Sequence, residues 1–391
     1  MGSDRGHEQL RRAREEPRRG LTRVWPLYVG GFLGPYASTM VTPMVHEVAA
    51  GLDSTPELAA GAVTAYMLPF AALMLVSGTL AERWGRARTM RVSLLLFVVA
   101  CAACVLAPTM EWFLAARAAQ GATNAFTTPL LVAAITDLVP RDRLGRALAL
   151  FAGLQAAGQA ASPLVSGPSA AVDWRLAFGF PAVVALVLAV CSPTMTTGTP
   201  RGRPSVRALA NRNLALACAL SFLCYLGAVG LTVLSILRAE EEFGLGPWQR
   251  GLLAAAFGVA GLLAAPLLGR RLDAFGPRRT GVAMNVLLAA GLLVAALGPT
   301  VLVLGVGIAA VGVAVTGLRT TVNSVAATSA PDNRAGAASL ALSFQFFGGA
   351  LAPLLWVPLH SAYGAWGFAA TALAPLIALL LLVRVPARRG G

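Results

Sequence analysis

Two arginines stand inside apolar runs, where an unpaired charge is expensive. Arg117 lies in "FLAARAAQGATNA" (113–125), and Gln120, Gly121, Asn124 and Thr128 continue from it at helical spacing. A charge inside a membrane span costs about 2.5–3.5 kcal/mol on insertion scales and normally faces a cavity or a partner. The alternative for Arg117 is to extend its head back to the interface. Arg319 lies deeper in its run, with Thr316, Thr320 and Asn323 on one stripe, and its type suits solute binding and internal pairing equally. A third polar face carries Gln155, Gln159, Ser162 and Ser166 beside Gly158 and Pro163. These groups offer hydrogen bonding and charge recognition. Bond-making chemistry has no comparable constellation: His7, His46 and His360 are scattered, and the five cysteines show only one C-x-x-C, Cys101 and Cys104, inside an apolar run. We therefore expect no enzyme, no cofactor and no metal, with the cysteines serving packing.

The runs that hold these residues define the class. Hydrophobic residues make up 57% and charged residues 12% of 391, with a mean hydropathy of +0.70, where soluble domains average about 25% charged. Apolar stretches of 18 residues or more recur, long enough to cross a hydrocarbon core of about 30 Å as helices. Twelve spans are expected, near 25–48, 58–80, 91–108, 112–138, 145–168, 176–194, 213–237, 249–269, 281–298, 301–328, 336–358 and 365–384. The expectation is an all-α polytopic membrane protein with a tail (1–24), a six-helix bundle (25–195), a Pro/Gly/Arg-rich linker (196–212), a second six-helix bundle (213–384) and a short tail (385–391). The first tail lacks the apolar core of a signal peptide.

Arginine sets the expected orientation. All 31 basic residues are Arg, and with a cytoplasmic N-terminus 26 of them fall inside, while only Arg175, Arg238 and Arg250 fall outside. Both termini are then cytoplasmic, in an inner (plasma) membrane. The net charge of +14 is spread over loops beside the spans, which suits anionic lipid headgroups and argues against nucleic acid. None of the 17 acids lies mid-membrane; Glu47, beside His46, comes closest.

The densest charge between spans is "SGTLAERWGRARTM" (77–90). Its "GTLAERWG" (78–85) returns 191 residues later as "GRRLDAFG" (269–276), with Gly, an acid four residues on, and Gly three after that. At the same offset "VPRDRLGRA" (139–147) answers "APDNRAGAA" (330–338). Two similar halves entering from one side imply a parallel repeat with a binding site between them. Asp137, at the cytoplasmic end of the fourth span, is the natural partner of Arg86. The bland reading of these arginines is that they only set topology.

The loop resembles the loop 2–3 motif of the major facilitator superfamily, G-x-L-a-D-r-x-G-r-x-r, at Gly78, Leu80, Glu82, Arg83, Gly85, Arg86 and Arg88, with Glu82 for the usual Asp. Three further stretches are similar to motifs of its twelve-span drug:proton antiporter branch. They are "LGPYASTMVTP" (33–43), with Met40 for the first Pro; 113–125, with Arg117, Gln120 and Gly121 in register; and "GQAASPLVSG" (158–167), where Ser162 and Ser166 replace two glycines. The resemblance implies a carrier working by alternating access that exports small organic compounds in exchange for protons. It also implies a cytoplasmic gate at Gly78, Glu82, Arg83, Gly85, Arg86 and Asp137, with Gly269, Asp273 and Gly276 in the second half. The helix 5 hinge would be Gly158, Ser162, Pro163 and Gly167. Tyr36, Met40, Phe126, Gln155, Gln159, Tyr225 and Phe344 are cavity candidates; Gln155 and Gln159 read as a cavity wall, while for the aromatics plain packing is the stronger account. A monomer is expected, with a small-molecule substrate, protons and lipids as partners. An uptake carrier on the same fold is the alternative.

Overall fold

The computed structural model describes residues 25–140, 144–191, 209–330 and 333–383. Both expected tails, linker residues 196–208 and loop residues 141–143 and 331–332 of the second repeat lie outside the described residues. Among the described residues the chain is helical and has no strand. In order come α1 (25–39), α2 (Val45–Gly51), α3 (Pro56–Trp84), α4 (Arg86–Val105), α5 (Met110–Asn124), α6 (Thr127–Leu138), α7 (Leu144–Val172) and α8 (Gly179–Cys191). Then follow α9 (Arg212–Glu241), α10 (Pro247–Leu297), α11 (Val301–Ser329), α12 (Arg334–Tyr363), α13 (Ala365–Ala369) and α14 (Leu373–Val383).

Each of the twelve expected stretches is helical where it is described, although only nine helices among the described residues are long and apolar enough to cross a membrane unbroken. The difference has local causes. The first stretch is divided between α1 and α2 by a 3-10 turn, Thr42–Met44, at Pro43. The fourth is divided at Ala125 and Phe126, where the Pro129 ring would collide with the Ala125 carbonyl in a continuous helix. The eighth and ninth abut as α10, with non-helical backbone at Gly276. Helix starts follow their capping residues: the side chains of Thr55, Thr109, Asn211 and Thr300 accept from the backbone N–H three residues on.

Close packing shows the expected repeat. A Cβ added at Gly121 of α5 would lie 2.0 Å from the Tyr66 carbonyl oxygen of α3. One added at Gly312 of α11, 191 residues on, would lie 2.0 Å from that of Phe257 of α10. Gly158 of α7 meets the Phe32 carbonyl of α1 in the same way, and Gly348 of α12 that of Phe222 of α9. Contacts between the earlier and later helices run mainly through α3 on α12 and α7 on α10. Small groups make several of them: Thr64 donates to the Ala350 carbonyl at 2.6 Å, Ala160 meets Gly258, and Gly167 meets Gly251. Small residues let helix backbones approach where lipid supplies no hydrophobic drive between helices.

Candidate functional site

The stripe predicted on α5 becomes a buried polar cluster. Arg117, Gln120 and Asn124 are each 0% exposed. Arg117 donates to the Ala37 carbonyl of α1 at 3.0 Å and to Gln120, and its guanidinium lies 4.5 Å from the centre of the Tyr66 ring of α3. Gln120 donates to the Cys101 sulfur at 3.1 Å, and Asn124 to the Tyr66 hydroxyl at 2.6 Å. No carboxylate is among these partners. The charge is held by a carbonyl, an amide and a π face. Arg117 therefore does not reach back to an interface.

Ser162, from the α7 motif, donates to the Tyr36 carbonyl at 2.8 Å. The stretches quoted from α1, α5 and α7 thus converge on the adjacent carbonyls of Tyr36 and Ala37. Ser166 donates back to Ser162 within α7. The missing Cβ of Gly158 lets α7 approach α1, and the Pro163 carbonyl and Gly167 face Gly251 of α10.

At the far end of α3, Gly85 takes φ +88° and Gly276, its counterpart, φ +74°. Side chains rarely adopt this left-handed region, which explains why each framework ends in Gly. Arg86 donates to Asp137 at 2.9 Å and to Glu82 at 3.0 Å, joining α3, α4 and α6 as the sequence suggested. Arg83, Glu82 and Asp273 are exposed. Gly78 and Gly269 have open space where a Cβ would stand.

The cavity candidates separate. Tyr36 and Met40 are wholly buried, Tyr36 stacking on Phe32 and touching Phe180 of α8. Phe126 stacks on Trp84 beside the Gly85 turn. Gln155 and Gln159 stay partly exposed along α7. On α11, Arg319 and Thr320 are partly exposed and Asn323 is exposed. Arg319 hydrogen-bonds the Tyr225 side chain of α9, whose ring faces Phe346. Phe346 in turn meets Phe70 of α3, with ring centres 4.5 Å apart. Phe344 lines a hollow of about 490 Å³ with Asn211, Arg212, Cys218 and Leu340.

The opposite end carries a cluster that the spacing alone did not reveal. Arg250, 1% exposed in α10, binds Glu240 of α9 and Glu47 of α2, with His46 at 2.6 Å. His46 Nδ1 lies 2.7 Å from Glu240. The sequence signals for this cluster were Glu47 beside His46 at a span edge and Arg250 among the three arginines expected outside. Nearby, Arg238 donates to Glu242 and to the carbonyls of Ala295, Ala296 and Gly298.

The Major Facilitator Superfamily model matches residues 27–232 and 217–391. The chain belongs to this superfamily. It is a polytopic membrane transporter, in a family of carriers that move small molecules. Among curated relatives, an uncharacterized MFS-type transporter of Bacillus subtilis, YybF, is 26% identical over 337 residues, which cover 82% of this chain and 83% of that one. A chloramphenicol efflux pump of Mycobacterium tuberculosis is 32% identical over 226 residues, 55% of this chain and 54% of that one. The match thus spans about half the length of that pump. An efflux pump of Floropilus chiversii, radE, is 30% identical over 161 residues, 41% of this chain and 30% of that one. Among solved structures, a bacterial homolog of the human lysosomal transporter Spinster, in an inward-facing and unoccupied conformation, superposes with a TM-score of 0.73 at 16% identity. The superposition covers 93% of this chain and 96% of that one, and it shows a shared fold.

Proposed function

We propose that this transporter exports small organic compounds in exchange for protons, by alternating access between two six-helix halves, 25–195 and 213–384. The halves are joined by the linker 196–212, and both termini are cytoplasmic in the plasma membrane. The observation that carries the reading is the convergence of the α1, α5 and α7 motif stretches on the Tyr36 and Ala37 carbonyls, through Ser162 and Arg117. Those stretches are what resemble the antiporter branch, and here they form one connected unit. The relatives named as efflux pumps add weight to export. In this reading the Gly85 and Gly276 turns face the cytoplasm, and Glu82, Arg86 and Asp137 fasten and release the inner ends of α3, α4 and α6. Arg319, Thr320 and Asn323 line the path on the other half. The cargo is small and fairly apolar or cationic-to-neutral, and two cations with no mid-membrane carboxylate speak against a strong preference for permanent organic cations. The transporter works as a monomer among anionic lipids.

The test is proton release from everted vesicles with an acidified lumen, on addition of chloramphenicol, dyes and other drug-like compounds. Export by exchange predicts that at least one compound dissipates the gradient in wild-type vesicles and not in Arg117→Ala vesicles. If none does, while cells expressing the chain accumulate a solute faster, the direction is uptake and the proposal fails.

A further inference from the structure

We propose that the hollow between α9 and α12 is a site for an anionic phospholipid, its phosphate held by Arg212 and one acyl chain lying along α9. Such a site lies beyond the export reading and takes from it only the orientation, which puts Arg212 at the cytoplasmic leaflet.

The hollow begins where two closely packed helices lose contact. At Gly348 of α12 a Cβ would lie 2.1 Å from the Phe222 carbonyl oxygen of α9, so the backbones touch there. Toward Arg212 the small side chains of Ala215, Cys218 and Ala219 leave a gap of about 490 Å³ against Leu340 and Phe344 of α12. The start of α9 is fixed by Asn211, which donates to the Ser329 carbonyl of α11. Arg212 therefore stands at a set place on the rim.

The occupant follows from where the hollow faces. Phe344, Leu351 and Leu355 recur at helical spacing on α12 and are 37%, 41% and 44% exposed. Phe346, on the opposite face, meets Phe70 of α3 between the halves. The hollow thus opens toward the bilayer and away from the path between the halves. No water is at hand among acyl chains to fill an apolar gap, so a lipid tail fills it. From Arg212 to Ala219 the helix rises about 10 Å, more than the roughly 5–8 Å of one headgroup layer. A molecule lying there has its polar end at Arg212 and its tail in hydrocarbon. Charge then selects the headgroup. Arg212 is exposed, and no acid among the described residues pairs with it. In the sequence Arg201, Arg203 and Arg207 lead up to it. Four arginines gathered beside a span suit an anionic headgroup over a zwitterionic one.

The experiment follows lipid retention and thermal unfolding of full-length protein in neutral detergent. The additions are phosphatidylglycerol, phosphatidylcholine with the same chains, and glycerol phosphate without chains. Native mass spectrometry should show phosphatidylglycerol retained severalfold more than phosphatidylcholine, and its addition should raise the unfolding temperature. Arg212→Gln should weaken the first bound phosphatidylglycerol about fivefold, the weight of one arginine at an anionic surface. Arg91→Gln, exposed on α4, should leave it unchanged. Ala219→Phe keeps the arginine but fills the hollow, and should lose the same lipid. Equal retention of the two lipids, equal losses in the two arginine variants, or full binding by Ala219→Phe overturns the proposal. Stabilisation by glycerol phosphate alone makes Arg212 a free-anion site, and tighter retention of a drug-like compound than of phosphatidylglycerol makes the hollow a cargo site. Either result overturns it as well. None of these readouts involves transport, so solute uptake in the cell assay would refute export and leave the lipid site standing.

Discussion

Replacing Arg117 with methionine separates a working cation from a structural clamp. Methionine matches the aliphatic stem and ends short of the guanidinium, so a small gap opens beside Tyr66. The losses are charge-assisted bonds to the Ala37 carbonyl and to Gln120, each worth about 1.5–3 kcal/mol, and a desolvated cation–π contact with Tyr66, worth about 2 kcal/mol. Against them stands the cost of keeping a charge in a span without a carboxylate partner, about 2.5–3.5 kcal/mol, which the substitution removes. The net destabilisation is then between about 1.5 and about 5.5 kcal/mol, so flux is compared per folded molecule. Transport at equal folded protein should fall more than tenfold, a drop of about 1.4 kcal/mol or more in transition-state stabilisation. Arg117→Lys retains charge without the planar stack on Tyr66 and should fall between the two. The assay pairs thermal unfolding of purified protein, followed by size-exclusion fluorescence, with vesicle flux. Near-normal flux per folded molecule, together with loss of most folded protein, would show Arg117 to be a clamp and refute this reasoning.

Arg238→Ala should behave in the opposite way. It strands the carbonyls of Ala295, Ala296 and Gly298 at a helix end and should cost about 3–5 kcal/mol in thermal unfolding assays. Gly121→Ala and Gly312→Ala each force a methyl onto a backbone carbonyl and should destabilise by about 1–3 kcal/mol. Gly78→Ala, with open space around it in α3, should be neutral or slightly stabilising in the same thermal scan. Glu82→Ala removes a side chain that is 65% exposed, so stability should change by no more than about 1 kcal/mol. Vesicle flux should nonetheless drop, because Arg86 then holds only Asp137.

What could be read in advance depended on how far apart the partners lie in the chain. Helix starts, the left-handed glycines at 85 and 276 and the repeat they end are local patterns, and the Arg86–Asp137 pair follows from loop topology. The division of the first and fourth spans was also written locally, in Pro43 and Pro129, but hydropathy averages over such breaks. Arg117 announced itself by being a charge in an apolar run, while its partners Ala37 and Tyr66 come from other helices and no spacing names them. Arg250 gave no such signal. It sits at a helix edge, one of three arginines expected on the outer side, and its partner Glu47 is 203 residues away. Only packing of the Thr42–Met44 turn against α9 and α10 brings that pair together. The destinations of Tyr36 and Phe126 were illegible for the same reason, since an aromatic in a span has many faces to fill and sequence periodicity does not choose among helices.

The distribution of strong and weak contacts bears on how the two halves move. Along the span interior they meet through Gly, Ala and Thr against carbonyls and methyl groups, as at Ala160 with Gly258 and Thr64 with Ala350. Such contacts interlock little and each is worth little, so rocking across them meets its main side-chain obstacle at the Phe70–Phe346 ring pair. The bound charge sits at the ends, and the two ends differ. At the Gly85 turn Arg86 pairs with acids of its own half, Glu82 and Asp137. At the α2 end Arg250 pairs across the halves with Glu47. A carrier built this way is fastened by whichever end has its charges engaged across the interface. The geometry therefore describes the molecule closed at the α2 end. The opposite closure requires Arg250 to give up Glu47 before the Gly85 ends can meet, so any variant that weakens that pair should shift the resting population toward opening at the α2 end without touching the span interior.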